Sequence, residues 1–166
     1  MKAYYKKDNF IFEIGYDRKI KSIKIVEKEK IGAKSPLSDL AFKEISKFLD
    51  GKLEKFSFEF DPKGTNFQKK VWKEIEKIPY GKTSTYKEIG EKLNSKAYQA
   101  IGTACGKNPI LFRIPCHRVL GKNNLGGFSY GLDLKKKLLK MEKSCKIWFL
   151  QDFYFLSKKV ILALFY

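Results

Sequence analysis

The chain has 166 residues, of which 35 are Lys or Arg and 18 are Asp or Glu, so its formal net charge is +17. A hydrophobic fraction of 43% with 15% aromatic residues is enough for a packed core and excludes a wholly disordered chain. Charged residues at Lys2, Lys6, Lys7 and Asp8 interrupt the first residues, so we expect no signal peptide. Three scattered cysteines then indicate a reduced, intracellular protein.

The first 63 residues have the pattern of a small α+β domain. Two β-type runs at 10–14 and 20–26 are separated by a turn and predict a hairpin. Pro36 begins a helical pattern that ends at Asp50. A third strand is predicted by the alternation of aromatic and polar residues at Phe56, Phe58 and Phe60. We therefore expect a three-stranded sheet with one helix over residues 1–63.

From Gly64 onward the pattern becomes mainly helical. Helices are predicted at about 66–78, 86–93 and 96–106. The second and third are short and separated by a tight turn, which are the proportions of a helix-turn-helix. The third is rich in Ala and Gly, which lowers its helix propensity but allows close approach to a neighbour. We expect a mostly helical C-terminal domain over 64–143 with a (winged) helix-turn-helix, and an α+β fold overall.

Three further segments complete the chain. Residues 110–120 predict an extended, largely buried segment, a glycine-rich loop follows it, and an amphipathic helix is predicted at about 132–143. The extension at 144–166 is dense in aromatic and aliphatic residues, but charges interrupt it, and it lacks the roughly 18 uninterrupted apolar residues of a membrane span. We expect no transmembrane segment and an extension packed on the body. A membrane-surface or oligomer contact is the alternative.

The positive charge is unevenly distributed. No acidic residue occurs between Glu91 and Asp133, although this stretch contains several lysines and two arginines. A surface that faces phosphates requires such a composition, because one carboxylate there is repulsive. Nucleic acid is therefore favoured over an anionic membrane as the partner. Two other readings stay open: a partly buried stretch that needs few charges, and a general preference for lysine.

The candidate catalytic residues are Cys116 and His117, which are neighbours in the sequence. Alone, each is more often a buried structural residue. Together they favour a cysteine nucleophile with a nearby base, because a thiol needs a base or cation close by to become the nucleophilic thiolate. Neighbours in an extended segment point to opposite faces, so a bridging water or a sharp turn is needed. Glu142, the only acid in the final helix after Asp133, is the candidate to orient the imidazole.

Other kinds of site find little support. One histidine and three separated cysteines do not have zinc-ligand spacing, and neither a phosphate-binding loop nor a Rossmann glycine pattern occurs. We therefore expect no metal and no cofactor. A cysteine hydrolase is a weak alternative, since no oxyanion motif or separated Cys and His pair is visible.

Several spaced motifs resemble the O6-alkylguanine-DNA alkyltransferase family, the methylated-DNA–protein-cysteine methyltransferases. The central motif is Pro115-Cys116-His117-Arg118-Val119, and the resemblance is dense over about 64–142 and looser over 1–63. Other matching segments, in family order and spacing, are Gly64-Thr65-x-Phe67-Gln68-x-x-Val71-Trp72, Ile78-Pro79-Tyr80-Gly81-x-Thr83, Thr85-Tyr86, Ala100-Ile101-Gly102, Asn108-Pro109 and Gly126-Gly127. Their agreement makes the resemblance far more specific than one pentapeptide.

The resemblance implies a function and roles for particular residues. The family moves an alkyl group from O6 of guanine, or less readily O4 of thymine, onto its own cysteine, with the damaged base flipped out of the duplex. Cys116 would be that acceptor, His117 its base through a water, Glu142 the residue that orients His117, and Asn108 the residue that holds the active-site turn. No cofactor is implied. The partner would be double-stranded DNA carrying O6-alkylguanine. The protein would be a monomer, located in the cytoplasm or associated with the nucleoid.

Further residues would meet the DNA or the base. Tyr86 would donate to the base as O6 gains charge, Ser129 would bind the lesion through its backbone N–H, and the carbonyls of Cys116 and Val119 would read the guanine amino group. The recognition helix would enter the minor groove. The full set of expected contacts is Tyr86, Tyr98, Gln99, Ala100, Arg118, Val119, Phe128 and Ser129.

Two positions depart from the family pattern. Gln99 stands where the family has an arginine that fills the gap left by the flipped base, so we expect weaker flipping or weaker affinity, with Tyr98 as an alternative intercalator. Phe128 stands where a loop tyrosine is usual, which removes one hydroxyl. The alternative function is a non-catalytic helix-turn-helix module that binds alkylated DNA or acts as a regulator. The presence of Cys116 speaks against it.

Overall fold

The computed structural model describes residues 1–144, so the extension predicted at 144–166 lies, except for Ser144, outside the described residues. The chain begins with three antiparallel strands in the order β1-β2-β3: β1 (Lys2–Lys7), β2 (Phe10–Tyr16) and β3 (Ile20–Val26). Helix α1 (Pro36–Leu49) packs against this sheet. Ser35 caps the helix, with its side chain accepting from the Ser38 N–H.

The predicted three-stranded sheet exists, but one of its predicted strands is wrong. The segment with Phe56, Phe58 and Phe60 is not a strand, and only an isolated bridge joins Phe60 to Ile20. The reason is local: the Ser57 N–H donates to the Glu44 carboxylate at 2.8 Å instead of to a neighbouring strand. The third strand is β1, which sequence analysis missed because Lys2–Lys7 lacks a simple alternation of apolar and polar residues.

The C-terminal half is helical, as expected from its sequence. It contains α2 (Asn66–Glu76), α3 (Tyr86–Lys92), α4 (Tyr98–Gly106) and a final helix, α5, at 132–144. Thr65 and Thr85 cap α2 and α3 through capping boxes. Two short strands, β4 (Ser84–Thr85) and β5 (Val119–Leu120), pair in parallel. Helices α2 and α3 both contact α4, so α3 and α4 form the predicted helix-turn-helix.

The contact between α3 and α4 depends on Gly90. A Cβ atom at this position would lie 2.6 Å from the Ser95 carbonyl oxygen and 2.7 Å from Cε1 of Tyr98. Only a residue without a side chain allows this approach. In the turn between the two helices, Asn94 has a positive φ of 50°. The tight turn fixes α4 with one side against α3 and the other side exposed.

The segment 110–120 is largely buried, as expected, but most of it is not extended. Residues 111–113 form a turn, with Phe112 at φ 67°, and Cys116–Arg118 form a 3₁₀ helix, so only β5 at the end is extended. The Asn108 side chain folds the segment back, since Oδ1 accepts from the Ile110 N–H at 2.9 Å and Nδ2 donates to the Ile114 carbonyl at 2.7 Å. The sharp turn that the Cys–His pair requires is therefore present.

One hydrophobic core crosses the predicted boundary between 63 and 64. The Phe112 ring lies 6.3 Å from the Phe12 ring and 5.3 Å from the Phe48 ring, and the Ile23 N–H donates to the Pro109 carbonyl. The sheet thus supports the segment that leads to Cys116, and the division into domains stays a prediction. Within residues 1–144, no helix is long and apolar enough to span a membrane.

Candidate active site

Cys116 begins the 3₁₀ helix and is held by the same asparagine that folds the loop. Its side chain lies in the wall of a cavity, and its Sγ accepts a hydrogen bond from Asn108 Nδ2 at 3.1 Å. Burial raises the pKa of the Cys116 thiol, while the Asn108 hydrogen bond, the positive charge of Lys135 and backbone N–H donors act in the opposite direction. The thiol is thus protonated at rest but surrounded by groups that favour its thiolate.

His117 and Glu142 form a buried pair across 25 residues of sequence. Nε2 of His117 lies 2.7 Å from Oε1 of Glu142, and both residues are fully buried. Burial lowers the pKa of His117, and the Glu142 hydrogen bond and charge only partly oppose this effect. Because an ionised carboxylate can only accept, we assign the proton to Nε2, which leaves Nδ1 as a basic nitrogen. Among residues 1–144, Nδ1 has no hydrogen-bond partner.

Glu142 is anchored by more than His117. Its Oε2 accepts from the Gly81 N–H at 2.8 Å and from Arg118 Nε at 2.9 Å, and its Oε1 accepts from Arg118 Nη2. Burial by itself raises the pKa of the Glu142 carboxyl, but the hydrogen bonds and charges of His117 and Arg118 bring it below its usual value. The carboxylate therefore stays ionised and holds the imidazole in one orientation.

Arg118 is a correction to the sequence analysis, which placed it against DNA. Its guanidinium is buried on Glu142, and its Nη1 donates to the Ile78 carbonyl at 2.7 Å. It also lies over the Tyr80 ring, 5.5 Å from the centroid. The position in an acid-free stretch suggested a phosphate contact, but the acid that Arg118 pairs with comes from α5, 24 residues later.

The cavity that contains the Cys116 thiol has a volume of about 250 Å³. Its lining consists of Tyr86, Gly102, Cys105, Gly106, Cys116, Gly127, Phe128 and Ser129. Gly126 has φ +65°, and a Cβ there would lie 3.1 Å from the Tyr86 hydroxyl, so the loop needs a glycine beside Tyr86. Burial raises the pKa of Tyr86, so its hydroxyl keeps its proton and can donate into the cavity.

The loop residues Phe128 and Ser129 close the other side of the cavity. The Phe128 ring stands edge-on to the His117 ring at 6.5 Å, and the Ser129 hydroxyl donates to the Gly106 carbonyl at 3.1 Å. The structure thus brings together most residues that the sequence selected for the site. Val119, in β5 immediately after the 3₁₀ helix, is fully buried and does not line the cavity, and its carbonyl accepts a hydrogen bond from Lys135 Nζ at 2.6 Å.

The predicted DNA-contacting residues of α4 lie outside the cavity. Gln99 and Ala100 are exposed, whereas the Tyr98 ring packs against Gly90 and is 40% exposed. Intercalation by Tyr98 would break the contact between α3 and α4, so this alternative loses support. Gln99 is free to extend from the helix next to the cavity that Gly102 lines.

Two residues of the site were missed by sequence reasoning. Cys105 lines the same cavity as Cys116, and burial raises its pKa to about 12, in the same direction as that of Cys116. Lys135 is fully buried in α5, although three consecutive lysines predicted an exposed face. Within residues 1–144, no group of three His, Cys, Asp or Glu side chains has the geometry of a metal site.

Comparison with known proteins identifies this arrangement. The family model "6-O-methylguanine DNA methyltransferase, DNA binding domain" matches residues 66–144. The probable methylated-DNA–protein-cysteine methyltransferase of Acanthamoeba polyphaga mimivirus is 45% identical over 128 residues, which cover 75% of this chain and 83% of the relative. The Methanosarcina barkeri enzyme is 47% identical over 106 residues, covering 63% and 67%. The chain belongs to the methylated-DNA–protein-cysteine methyltransferase family.

Solved structures agree with this family membership. The Mycobacterium tuberculosis OGT structure in complex with DNA has a TM-score of 0.77 and 31% identity, covering 86% of this chain and 92% of that chain. The Methanococcus jannaschii O6-methylguanine DNA methyltransferase has a TM-score of 0.67 and 28% identity, covering 85% and 93%. The predicted family and α+β fold class are confirmed, and the protein is a methyltransferase of DNA alkylation repair with a DNA-binding domain.

Proposed function

We propose that Cys116 accepts a methyl or larger alkyl group from O6 of guanine, or less readily from O4 of thymine, in double-stranded DNA. The observation that carries this proposal is the position of its thiol between the Asn108 donor and the cavity, directly before the buried pair of His117 and Glu142. Cys105 lines the same cavity, and burial raises the pKa of both thiols, but within residues 1–144 the Asn108 amide donates to the sulfur of Cys116 and not to that of Cys105.

The proton of Cys116 has an acceptor in this geometry. Nδ1 of His117 carries a lone pair, and Glu142 holds Nε2–H and stabilises the imidazolium that forms. No direct hydrogen bond joins the thiol to the imidazole among the described residues, so the proton passes through one bridging water. The thiolate is then formed next to Asn108, whose N–H donors stabilise it.

The transfer itself is an in-line displacement. A bond forms between Cys116 Sγ and the alkyl carbon while the bond between that carbon and O6 breaks. The electron pair of the broken bond stays with O6 and delocalises into the guanine ring, which takes up the proton that Cys116 released. Tyr86 donates a hydrogen bond to the base as O6 gains negative charge, because its hydroxyl remains protonated in the half-buried wall. The product is a stable thioether, so each chain acts once, and no cofactor takes part.

The damaged base reaches the thiol only if it leaves the duplex. Cys116 is 8% exposed and lies in the wall of a recessed cavity, so the alkyl carbon of a stacked base cannot approach it. We propose that α4 lies in the minor groove with its small exposed residues against the backbone. Gln99, which is exposed on α4 three residues before Gly102 of the cavity lining, fills the space of the flipped base without adding charge. The protein acts as a monomer in this scheme.

The test is the intact mass of the protein after incubation with a duplex containing O6-methylguanine. We expect a gain of one methylene group that saturates at one per chain, an unchanged gain in Cys105→Ser, and no gain in Cys116→Ser. A wild-type protein that gains no mass is not an acceptor. If it still binds the damaged duplex more tightly than an undamaged one, the non-catalytic binding module is the better description.

A further inference from the structure

Lys135 is a buried cation that the proposed chemistry does not yet use. It lies on α5, has no exposed surface, and its Nζ donates to the Val119 carbonyl at 2.6 Å and to the Gly127 carbonyl at 3.1 Å. No carboxylate pairs with it among residues 1–144. A buried ammonium without an anion is unfavourable, so a fold that keeps one usually places it for a reason.

The two carbonyls that bind Lys135 belong to two different segments of the chain, each of which contributes residues to the cavity. Val119 follows the 3₁₀ helix that contains Cys116, and Gly127 lies in the loop that continues into Phe128 and Ser129. The ammonium therefore sits behind the cavity and joins the segment of the nucleophile to the loop that closes over the base. Its location is fixed by backbone atoms and not by a flexible side-chain partner.

The Val119 carbonyl that Lys135 binds directly follows the 3₁₀ helix that Cys116 begins, so the ammonium lies on the segment that holds the thiol. The groups that interact electrostatically with this thiol are Lys135 from α5, Cys105 from α4 and Tyr86 from α3, with Tyr130 from the loop. Both tyrosines and Cys105 are neutral at pH 7, because burial raises their pKa values. The adjacent His117 is neutral as well. Within the described residues, Lys135 is thus the one cation in this set.

We propose that Lys135 is a positioning residue for the transfer, whose ammonium stabilises the Cys116 thiolate from behind the cavity. The inference rests on the proposed function of Cys116. Its physical basis is the low polarity of the site, where a fixed positive charge stabilises an anion far more than in water. Asn108 supplies a hydrogen bond to the sulfur, and Lys135 supplies the compensating charge.

The test measures the reaction of Cys116 with iodoacetamide as a function of pH, followed on the tryptic peptide 114–118. Lys135→Met removes the charge and keeps an unbranched side chain, and we expect the midpoint to rise by about one pH unit, with about tenfold slower reaction at pH 7. The matched control is Lys136→Met, which removes the exposed neighbouring lysine and leaves the midpoint unchanged.

A second variant separates charge from hydrogen bonding and covers poor folding of Lys135→Met. Lys135→Gln keeps donors for the backbone carbonyls but carries no charge, so we expect its midpoint to rise as well. The alternative is that Lys135 only binds the two backbone carbonyls. In that case both variants slow the transfer from DNA, but the midpoint of the iodoacetamide reaction stays at the wild-type pH. This result would overturn the inference. Because this reaction needs no DNA, a wild-type protein that takes no methyl group refutes the proposed function separately.

Discussion

The buried wall of the cavity and the exposed face of α4 differ in how their residues are held. In the wall, Glu142 receives hydrogen bonds from His117, Arg118 and Gly81, and the geometry leaves one basic nitrogen on His117. On α4, Gln99 and Ala100 point to solvent with few constraints. Changes in the wall should therefore have large, specific effects on stability and chemistry, whereas changes on α4 should have small effects that appear only with DNA.

The largest effect is expected for Glu142→Gln. This substitution removes the charge that compensates the buried Arg118 guanidinium, and breaking a buried ion pair by removing one partner costs about 3–5 kcal/mol. Urea denaturation measures the free energy of unfolding. Glu91→Gln, at a carboxylate that is 60% exposed, is the matched control and should change stability by about 0–1 kcal/mol. If the two variants lose the same free energy of unfolding, the buried Glu142 carboxylate contributes no more to stability than an exposed one.

The next effect is a dependence of stability on pH that comes from the only histidine. The folded-state pKa of His117 is lowered by burial, so the unfolded chain binds the additional proton first and stability falls as pH drops below about 6.5. The slope is at most about 1.4 kcal/mol per pH unit for one proton. Glu142 adds a further loss below about pH 4, because its folded-state pKa is also lowered.

Denaturant unfolding at a series of pH values tests this linkage. His117→Gln should abolish the slope between pH 7 and 5 while keeping the steeper loss at lower pH, where carboxylates are protonated. A slope that persists unchanged in His117→Gln would assign the dependence to other groups.

A smaller effect is expected on the exposed side, for Gln99→Arg. Arginine is longer and charged, so it should fill the space of the flipped base better and speed transfer from duplex DNA several-fold. The free base O6-methylguanine needs no flipping, and its reaction should not change. Single-turnover rates on the two substrates provide the comparison. An equal acceleration of both would rule out a flipping role for residue 99.

The smallest effects are expected for single lysines near the recognition helix. Lys107 is exposed at the end of α4, so Lys107→Gln should weaken DNA binding at every sequence and reduce the slope of log affinity against log salt by about 1. Lys28→Gln, at an exposed lysine of the N-terminal half, is the control and should leave the slope unchanged. If both variants show the same slope of log affinity against log salt, Lys107 does not contact the DNA.

Local signals predicted the helices of this protein well. Thr65, Thr85 and Pro36 stand at helix starts, and their effect depends only on residues within one turn. The bend at 110–120 depends instead on the Asn108 side chain and on Phe112 at positive φ, which an apolar run does not reveal. The strand β1 was missed for a similar reason, since its pairing with β2 decides its conformation.

The pairing of residues distant in sequence was predictable only in part. Glu142 was selected as the partner of His117 because no other acid follows Asp133 in α5, and the structure places the two 2.7 Å apart. The same reasoning did not extend to Arg118, whose basic neighbours suggested a phosphate contact. Lys135 could not be found from its sequence, since only the packing of α5 shows which of three consecutive lysines is buried.

The most direct test of the account is the location of the methyl group after one turnover. Cys105 and Cys116 share one cavity but fall on separate tryptic peptides, 97–107 and 114–118. Peptide mass mapping after reaction with O6-methylguanine DNA should find the methyl group on 114–118 alone, with Cys105 unmodified. A methyl group on 97–107 would contradict the claim that the buried network around Cys116, and not the cavity itself, selects the acceptor.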